Sequence, residues 1–305
     1  MAAAEHEDHR MHVALVTATV EGLDFVTDVD AALVDALDER GVEVSQPRWD
    51  DPDVAWHGFD IAVVRTTWDY PLRRDEFLTW AADAGACTRL WNPADVLRWN
   101  THKSYLLELE ERGAPVVPTA WLARGDQVVL DDLLRSRGWE RGVVKPAVGA
   151  GASGLARVER GDPAAQAHLD HEVAAGDVMV QPYLGSVEHR GELSVVVVDG
   201  EVSHAVRKRP SGGDFRIQEE FGGRYEVVDL DADTTALARW IVEATGHDLL
   251  FARVDLIEDD LGQPQLVELE ATEPDLYLRH APAAAGRVAD AVVRRGQGAT
   301  RPDPA

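Results

Sequence analysis

Residues 251–271 read FARVDLIEDDLGQPQLVELEA, two apolar runs rich in β-branched residues on either side of an acidic turn that contains Gly262 and Pro264. This is the pattern of a β-hairpin. Symmetric pairing of 251–258 with 265–271 sets Asp255 opposite Glu268, and the period of two along a strand brings Glu270 to the same face. Like charges facing one another destabilise a sheet, so three convergent carboxylates call for a cation. Oxygen-only ligands suit Mg²⁺ bridging to substrate phosphates. A competing reading is a solvated acidic face, with Arg253 alternating onto it and neutralising a carboxylate without metal.

A chain of 305 residues implies two or three domains. Hydrophobic residues make up 45% of it with no apolar run long enough to span a bilayer, which describes a globular protein without a membrane span. The first ten residues, MAAAEHEDHR, are polar where a signal peptide is basic and then apolar, so a cytoplasmic protein is expected. They read as a disordered tail or upstream extension, with Met11 as an alternative start and His6, His9 and His12 as tail residues. One cysteine, Cys87, excludes an internal disulfide framework and a cysteine-rich zinc site and reads as a buried structural thiol. The net charge of −25 (30 basic against 55 acidic residues) argues against nucleic-acid and anionic-membrane partners. The substrate must be reached by local positive charge, and a homodimer is compatible with the sequence. Of the 30 basic residues only Lys103, Lys145 and Lys208 are lysines, which makes each a candidate for a task requiring a compact ammonium.

HVALVTA (12–18) reads as a buried strand, followed by a helix ending at Gly41 and by strands in VEVSQPRW and DIAVVRTTWDYP. This order indicates a doubly wound α/β domain to about residue 99. Ligands of such sheets sit past the carboxyl ends of the strands, where Arg65, Thr66, Thr67 and Trp68 fall as substrate candidates. Six of the nine tryptophans precede residue 100 and are expected mostly in the core. An amphipathic helix spans 101–113, and a small α/β unit runs from Thr119 to Val180. Beyond it come a hairpin turning at Asp199-Gly200, a glycine- and charge-rich loop at 211–224, a helix to Thr245, the acidic hairpin and a helix at 282–295.

VVKPAVGAGASG (143–154) places Lys145 at a strand end just before a glycine loop that can turn backbone N–H groups toward phosphate. Gly149, Gly151 and Gly154 match G-x-G-x-x-G, yet a strand follows where the dinucleotide fingerprint needs a helix. The Walker loop is also excluded, because its lysine follows the glycines. A plain glycine hairpin is the structural alternative.

The order of these parts (strand-lysine, glycine loop, apolar MVQPYL at 179–184, charged loop, Asp…Glu-x-Glu) resembles the ATP-grasp superfamily over about residues 12–295. RPSGGDFRIQEEFGG (209–223) and N-x-x-K (100–103) are most similar to glutathione synthetase-like ligases. RTTWDYP and VELEATEPDLYL look like the branch that contains the O-ureido-serine cyclo-ligases of cycloserine biosynthesis.

The resemblance implies an α/β protein of ATP-grasp fold with three domains: an α/β N-domain (11–100), a linker helix and small lid (101–180) and an α+β C-terminal core (181–298). It implies ATP and Mg²⁺, two ions, as cofactors. Lys103 and Lys145 would hold the phosphates under the loop of Gly149, Gly151, Ser153 and Gly154. Backbone groups of Gln181, Pro182, Tyr183 and Leu184 would read adenine, and Glu188 the ribose. Lys208, at the place of a family arginine, and Arg216 would contact the transferring phosphoryl group or the substrate. Asp255, Glu268 and Glu270 would be the metal ligands. Departures from the family are Glu270 in place of the common asparagine, alanines in the glycine loop, and Ser194 in place of an arginine. The implied reaction is ADP-forming activation of a small carboxylate as an acyl phosphate, captured within the same molecule, in antibiotic biosynthesis. An intermolecular peptide or glutathione-type ligase and a non-catalytic nucleotide-binding regulator are the alternatives.

Overall fold

The structure, a computed structural model, describes residues 10–18, 29–211, 217 and 222–297. The expected tail at 1–9, the chain end from 298, and Gly212, Gly213 and Arg216 of the charged loop lie outside the described residues. Arg10, read as the end of the tail, is docked: its guanidinium donates to Asp38 and to the Gly41 and Val42 carbonyls. Among the described residues no helix is long and apolar enough to cross a membrane.

Three sheets organise the chain. The first is parallel, in the order β2 (Glu43–Ser45), β1 (His12–Thr17), β3 (Ile61–Thr66), β4 (Leu90–Trp91). Every residue of β3 is buried, as a strand covered on both faces requires. On one face Ala14, Val16, Ala62 and Val64 pack on Phe77, Leu78 and Ala81 of α2 (Arg74–Cys87). On the other, Val13, Leu15, Ile61 and Val63 meet α1 (Ala31–Asp38) and the C-terminal helix α8 (Ala285–Gln297). The helix at the end of the chain thus completes the N-terminal layer. Of the six early tryptophans only Trp49 is buried; the others are half-buried, because a large indole at the margin of a four-stranded sheet keeps one edge in water. Cys87 is half-buried.

The second sheet is antiparallel, β5 (Ala120–Leu122), β8 (Val178–Pro182), β6 (Arg141–Pro146), β7 (Ala156–Glu159), backed by α5 (Leu130–Arg137) and α6 (Pro163–Ala175) around Leu134, Val144, Leu169 and Val180. A strand does follow the glycine loop. The third sheet is β11 (Arg224–Val227), β10 (Glu201–Arg209), β9 (Glu192–Val198), β12 (Phe251–Glu258), β13 (Pro264–Glu270). Its hairpin turn at Asp199 and Gly200 has positive φ at both positions, the conformation that an Asp-Gly pair adopts without strain. Helices α4 (Tyr105–Glu111) and α7 (Ala232–Ala244) cover one face of it through Leu109, Ile241, Val254 and Leu269. Helix α4, read with the lid, therefore packs under the third sheet, and β8 carries the second sheet past residue 180.

Two asparagines of the connecting segment, one just before α3 (Ala94–Asn100) and one at its last position, fasten the layers together. Asn92 donates to the Phe251 and Ala271 carbonyls and accepts from Leu250 N at 2.8 Å. Asn100 donates to the Leu269 carbonyl at 2.8 Å and accepts from Ala271 N at 2.7 Å, pairing the outer edge of β13 as a further strand would. All of these groups are buried, so losing a side chain strands backbone donors and acceptors away from water. Asn92→Ala is expected to destabilise the protein by roughly 3 kcal/mol, read as a lowered urea midpoint; a midpoint within error of wild type would mean that the layers are held by apolar packing alone.

Candidate active site

The paired strands give the cleft its chemistry. Asp255 lies directly opposite Glu268, and Arg253 opposite Glu270. A bulge in the ladder skips Val267, so Val267 and Glu268, consecutive in sequence, both line the cleft. On the neighbouring strands Ser194 pairs with Asp255 and Lys208 with Glu192, which extends the polar ladder across four strands. Gly191 (φ +77°) closes the turn into β9, where a Cβ would collide with the Lys208 carbonyl.

Two adjoining cavities separate the second and third sheets, with about 660 and 880 Å³ of empty space that runs out into open solvent. The first is apolar and lined by Val117, Val143, Leu155, Val187, Ile257 and by Gln181, Pro182, Tyr183 and Leu184. The second is polar: Lys103, Lys145, Lys208, Arg253, the loop 149–153 and the carboxylates Glu192, Asp255, Glu268, Glu270 and Glu273. Lys145, Leu155, Glu192, Ile217 and Val267 line both.

The three lysines meet here, in different states. Lys103 Nζ donates to the Gly149 carbonyl at 2.8 Å and pairs with Glu268 Oε1 at 3.0 Å; against the cost of burial, Glu268 holds its pKa above the usual range. Lys208 pairs with Glu192 and lies 3.8 Å from Asp255, and these carboxylates likewise overcome its burial. Lys145, 7% exposed, has no hydrogen bond or ion pair among the described residues, and burial pushes its pKa down. An unpaired ammonium in a cleft is a ready anion site. The loop above it depends on Gly154 (φ +70°), where a Cβ would stand 2.6 Å from Pro146 Cγ.

The carboxylates are more constrained than strand register alone implies. Asp255 is held by Arg253 Nη2 at 2.8 Å, by Ser194 and by Lys208, and although burial opposes it, Arg253 and Lys208 bring its pKa down to about 2. Arg253 also contacts Glu270, so the neutralising role weighed for it in the sequence is present. One guanidinium between two carboxylates does not satisfy both: burial, with Glu268 and Asp255 adding to it, pushes Glu270 up to about 7 in spite of Arg253. Burial, and after it Glu270, also pushes Glu273 well above its usual range. Among the described residues no three His, Cys, Asp or Glu side chains are grouped as a preformed metal cluster. The donor chemistry nevertheless fits a hard cation: the Glu268 and Glu270 side chains are 25% and 26% exposed to the cleft, and Glu270 shares its one guanidinium with Asp255. Asp255, whose side chain is 4% exposed, can join them only if Arg253 gives way.

Residues 65–68 line neither cavity. Arg65 is 1% exposed, its Nε and Nη2 on Asp30 (2.7 Å at the shortest) and its Nη1 on the Pro274 carbonyl at 3.0 Å. Surface pairing with Asp69, the alternative reading, is absent too; Asp69 accepts from Trp49 and Arg73. Thr66 is bonded to Thr17, the Thr67 hydroxyl is buried without a partner among the described residues, and Trp68 Nε1 donates to the Glu273 carbonyl at 3.2 Å. Buried inside the chain, this stretch serves as a scaffold. Glu188 is exposed beside the first cavity and accepts from the Tyr183 hydroxyl at 2.7 Å. Sequence reasoning missed Glu273, Tyr70, the lysine partner Glu192 and Tyr277, whose ring lies under Lys208 and Arg253 at 5.6 and 5.4 Å. Glu273 follows the strand end, where a period of two says nothing; its one signal was its place in the quoted VELEATEP.

Comparison with known proteins agrees with this geometry. Residues 13–92 match the family described as D-cycloserine synthetase DcsG, N-terminal domain, and residues 116–274 match prokaryotic glutathione synthetase, ATP-grasp domain. The chain is 33% identical over 285 residues to the cycloserine biosynthesis protein DcsG of Streptomyces lavendulae, covering 86% of this chain and 92% of that one. The crystal structure of D-cycloserine synthetase DcsG superposes with a TM-score of 0.84 at 31% identity, over 94% of this chain and all of that one. A D-alanine–D-alanine ligase from Bacillus anthracis complexed with ATP shares the fold, with a TM-score of 0.71 at 18% identity over 94% of this chain and 97% of its own.

The raised pKa of Glu270 has a thermodynamic consequence. The unfolded chain loses this proton near 4.5 and the folded cleft near 7, so the ligand-free protein loses stability as pH rises between those values and does not regain it above them. Asp255 acts in the opposite sense, contributing stability that is lost as pH falls toward about 2. Glu270→Gln is expected to flatten the fall in melting temperature between pH 5 and 8 recorded in metal-free buffer. Parallel curves for the two proteins would show that Glu270 is ionised throughout.

Proposed function

Because the chain belongs to the ATP-grasp ligases of the prokaryotic glutathione synthetase type, with DcsG among its full-length relatives, we propose that it activates the carboxylate of a small amino acid and closes it on a nucleophile of the same molecule. It is an ATP-dependent, ADP-forming ligase. The observation that carries the proposal is the continuity of the two cavities through Lys145: an apolar slot, a lysine-lined middle and an acidic far end. That sequence of environments suits a purine, a triphosphate and the ammonium end of a zwitterionic substrate.

In this reading the backbone of Gln181–Leu184 reads adenine, Glu188 leaves Tyr183 for the ribose, and Lys103 and Lys145 take phosphate oxygens beneath the loop of Gly149, Gly151, Ser153 and Gly154. Lys208, fixed by Glu192, faces the transferring phosphoryl group. Glu268 and Glu270, joined by Asp255, would hold Mg²⁺, two ions by family resemblance. When bound, the metal supplies charge neutralisation at the β- and γ-phosphate oxygens. A substrate carboxylate oxygen attacks the γ-phosphorus as the bond to ADP breaks. The acyl phosphate then has a leaving group that the free carboxylate lacks, so a nearby nitrogen attacks the carbonyl carbon, loses its proton and expels phosphate. With O-ureido-D-serine as substrate, the oxygen-bound ureido nitrogen closes a five-membered ring, and water then removes its carbamoyl group as carbon dioxide and ammonia to leave cycloserine. Intermolecular capture, as in peptide-bond-forming ligases, is the second reading, favoured by the glutathione synthetase match over 116–274.

With ATP, Mg²⁺ and O-ureido-D-serine, the protein is expected to release ADP and phosphate and to yield cycloserine by mass spectrometry. ADP release only when two unlinked substrates are supplied would favour the intermolecular reading. Glu268→Gln should abolish turnover while nucleotide affinity changes by no more than a few-fold, whereas Lys145→Met should weaken nucleotide binding roughly tenfold or more. Mg²⁺-dependent ADP formation near wild type in Glu268→Gln would reduce the hairpin to a solvated face.

A further inference from the structure

Glu273 is the carboxylate of the cleft that forms no ion pair among the described residues, with Lys103 and Arg253 acting on it only at a distance. Lys103 is engaged by Glu268, Lys208 by Glu192 and Asp255, and Arg253 by Asp255 and Glu270. Glu273 lines the same cavity, is 6% exposed, and its carboxyl has no hydrogen-bond or ion-pair partner among the described residues. Tyr70 stands in the same condition: 4% exposed, lining the cavity within electrostatic reach of Glu273, its hydroxyl without a partner among the described residues. A carboxyl and a phenol that are mostly covered, open only to the cavity and without protein partners are completed by a ligand able to pair with both.

The backbone around Glu273 is held from two sides. Trp68 Nε1 donates to its carbonyl at 3.2 Å, Arg65 Nη1 to the Pro274 carbonyl at 3.0 Å, and the Thr272 hydroxyl lies 3.1 Å from Asn100 Oδ1. The RTTW stretch, which does not reach the cavity, thus fixes the turn that presents Glu273 to it.

We propose that Glu273 and the Tyr70 hydroxyl form the subsite for the ammonium group of the amino-acid substrate. The proposal rests on the ligase reading for the identity of that substrate. A compact ammonium with three N–H donors matches one carboxylate and one phenol oxygen, and it supplies the charge that the protein withholds from Glu273. The subsite lies at the acidic end of the polar cavity, beside Glu268 and Glu270, where the carboxylate to be activated must also lie. It selects α-amino acids over the corresponding acids without the amine. Tyr70 and Glu273 are binding residues here, and Arg65 and Trp68 are positioning residues.

The test compares O-ureido-D-serine with its deaminated analogue, by calorimetry in the presence of Mg²⁺ and a non-hydrolysable ATP analogue and by initial rates with ATP. Wild type should prefer the amine-bearing compound roughly tenfold to a hundredfold, the range of one charge-assisted contact. Glu273→Gln should lose that preference through KM, with kcat within a few-fold and affinity for the ATP analogue unchanged. Tyr70→Phe should lose part of it, and Glu273→Asp, which keeps the charge if the amide variant does not fold, should retain most. Wild type binding the amine-bearing compound without releasing ADP would overturn the ligase reading and leave the subsite standing. Equal binding of the two compounds by wild type, or no binding of either, would overturn the subsite. A Glu273→Gln variant that shifts the Mg²⁺ requirement and leaves the preference intact would do the same, making Glu273 a metal ligand.

Discussion

Five carboxyl groups that line one cleft with low water access cannot all carry charge without cations, and the arrangement of the active site follows from how few the described residues provide. Arg253, Lys208 and Ser194 converge on Asp255, which becomes the most acidic of the group. Lys103 satisfies Glu268. Glu270 shares a guanidinium already committed to Asp255, and Glu273 has no ion-pair partner among the described residues. At the other end of the same cavity Lys145 has no ion pair among the described residues. The unliganded cleft is thus polarised, with positive charge beside the apolar slot and negative charge at the far wall. Each end is completed by what the other cannot reach: phosphate at Lys145, metal and ammonium at the acidic end.

The fold sustains this polarity by tying the acidic hairpin into three layers at once. Buried asparagines serve as short strand mimics, since a side-chain amide carries the donor and acceptor of a peptide group. Asn92 bonds the backbone flanking both hairpin strands, and Asn100 with the Tyr105 hydroxyl completes the free edge of β13. The parallel sheet contributes Arg65 and Trp68, which grip the turn after β13. The N-terminal layer therefore acts on the site through backbone geometry more than through its own side chains, Tyr70 being the exception.

Much of this was legible in the sequence where the information is local. Period-two alternation about a glycine turn specified that Asp255 faces Glu268, and the Asp199-Gly200 pair specified the turn into β10. The scarcity of lysine singled out three residues that line one cavity, and a strand end followed by glycines placed the loop beside them. Motif order pointed to the ATP-grasp family because that order reflects the layers in which the chain stacks.

What tertiary structure alone decided depends on contacts between residues far apart in the chain. Nothing near Arg65 announces that Asp30 and Pro274 will claim its guanidinium; an arginine at a strand end looks the same whether it meets a ligand or a buried partner. The bulge at Val267 arises from fitting β13 to β12, and strand periodicity contains no trace of it. Glu273 lies beyond the strand, and its lack of a partner is a property of the whole cleft. The sequence by itself determined which side chains share a strand face, since chain stereochemistry sets that within a few residues. Which charges remain unpaired was decided only when the three sheets met, because burial and pairing are sums over neighbours that the order of residues does not contain.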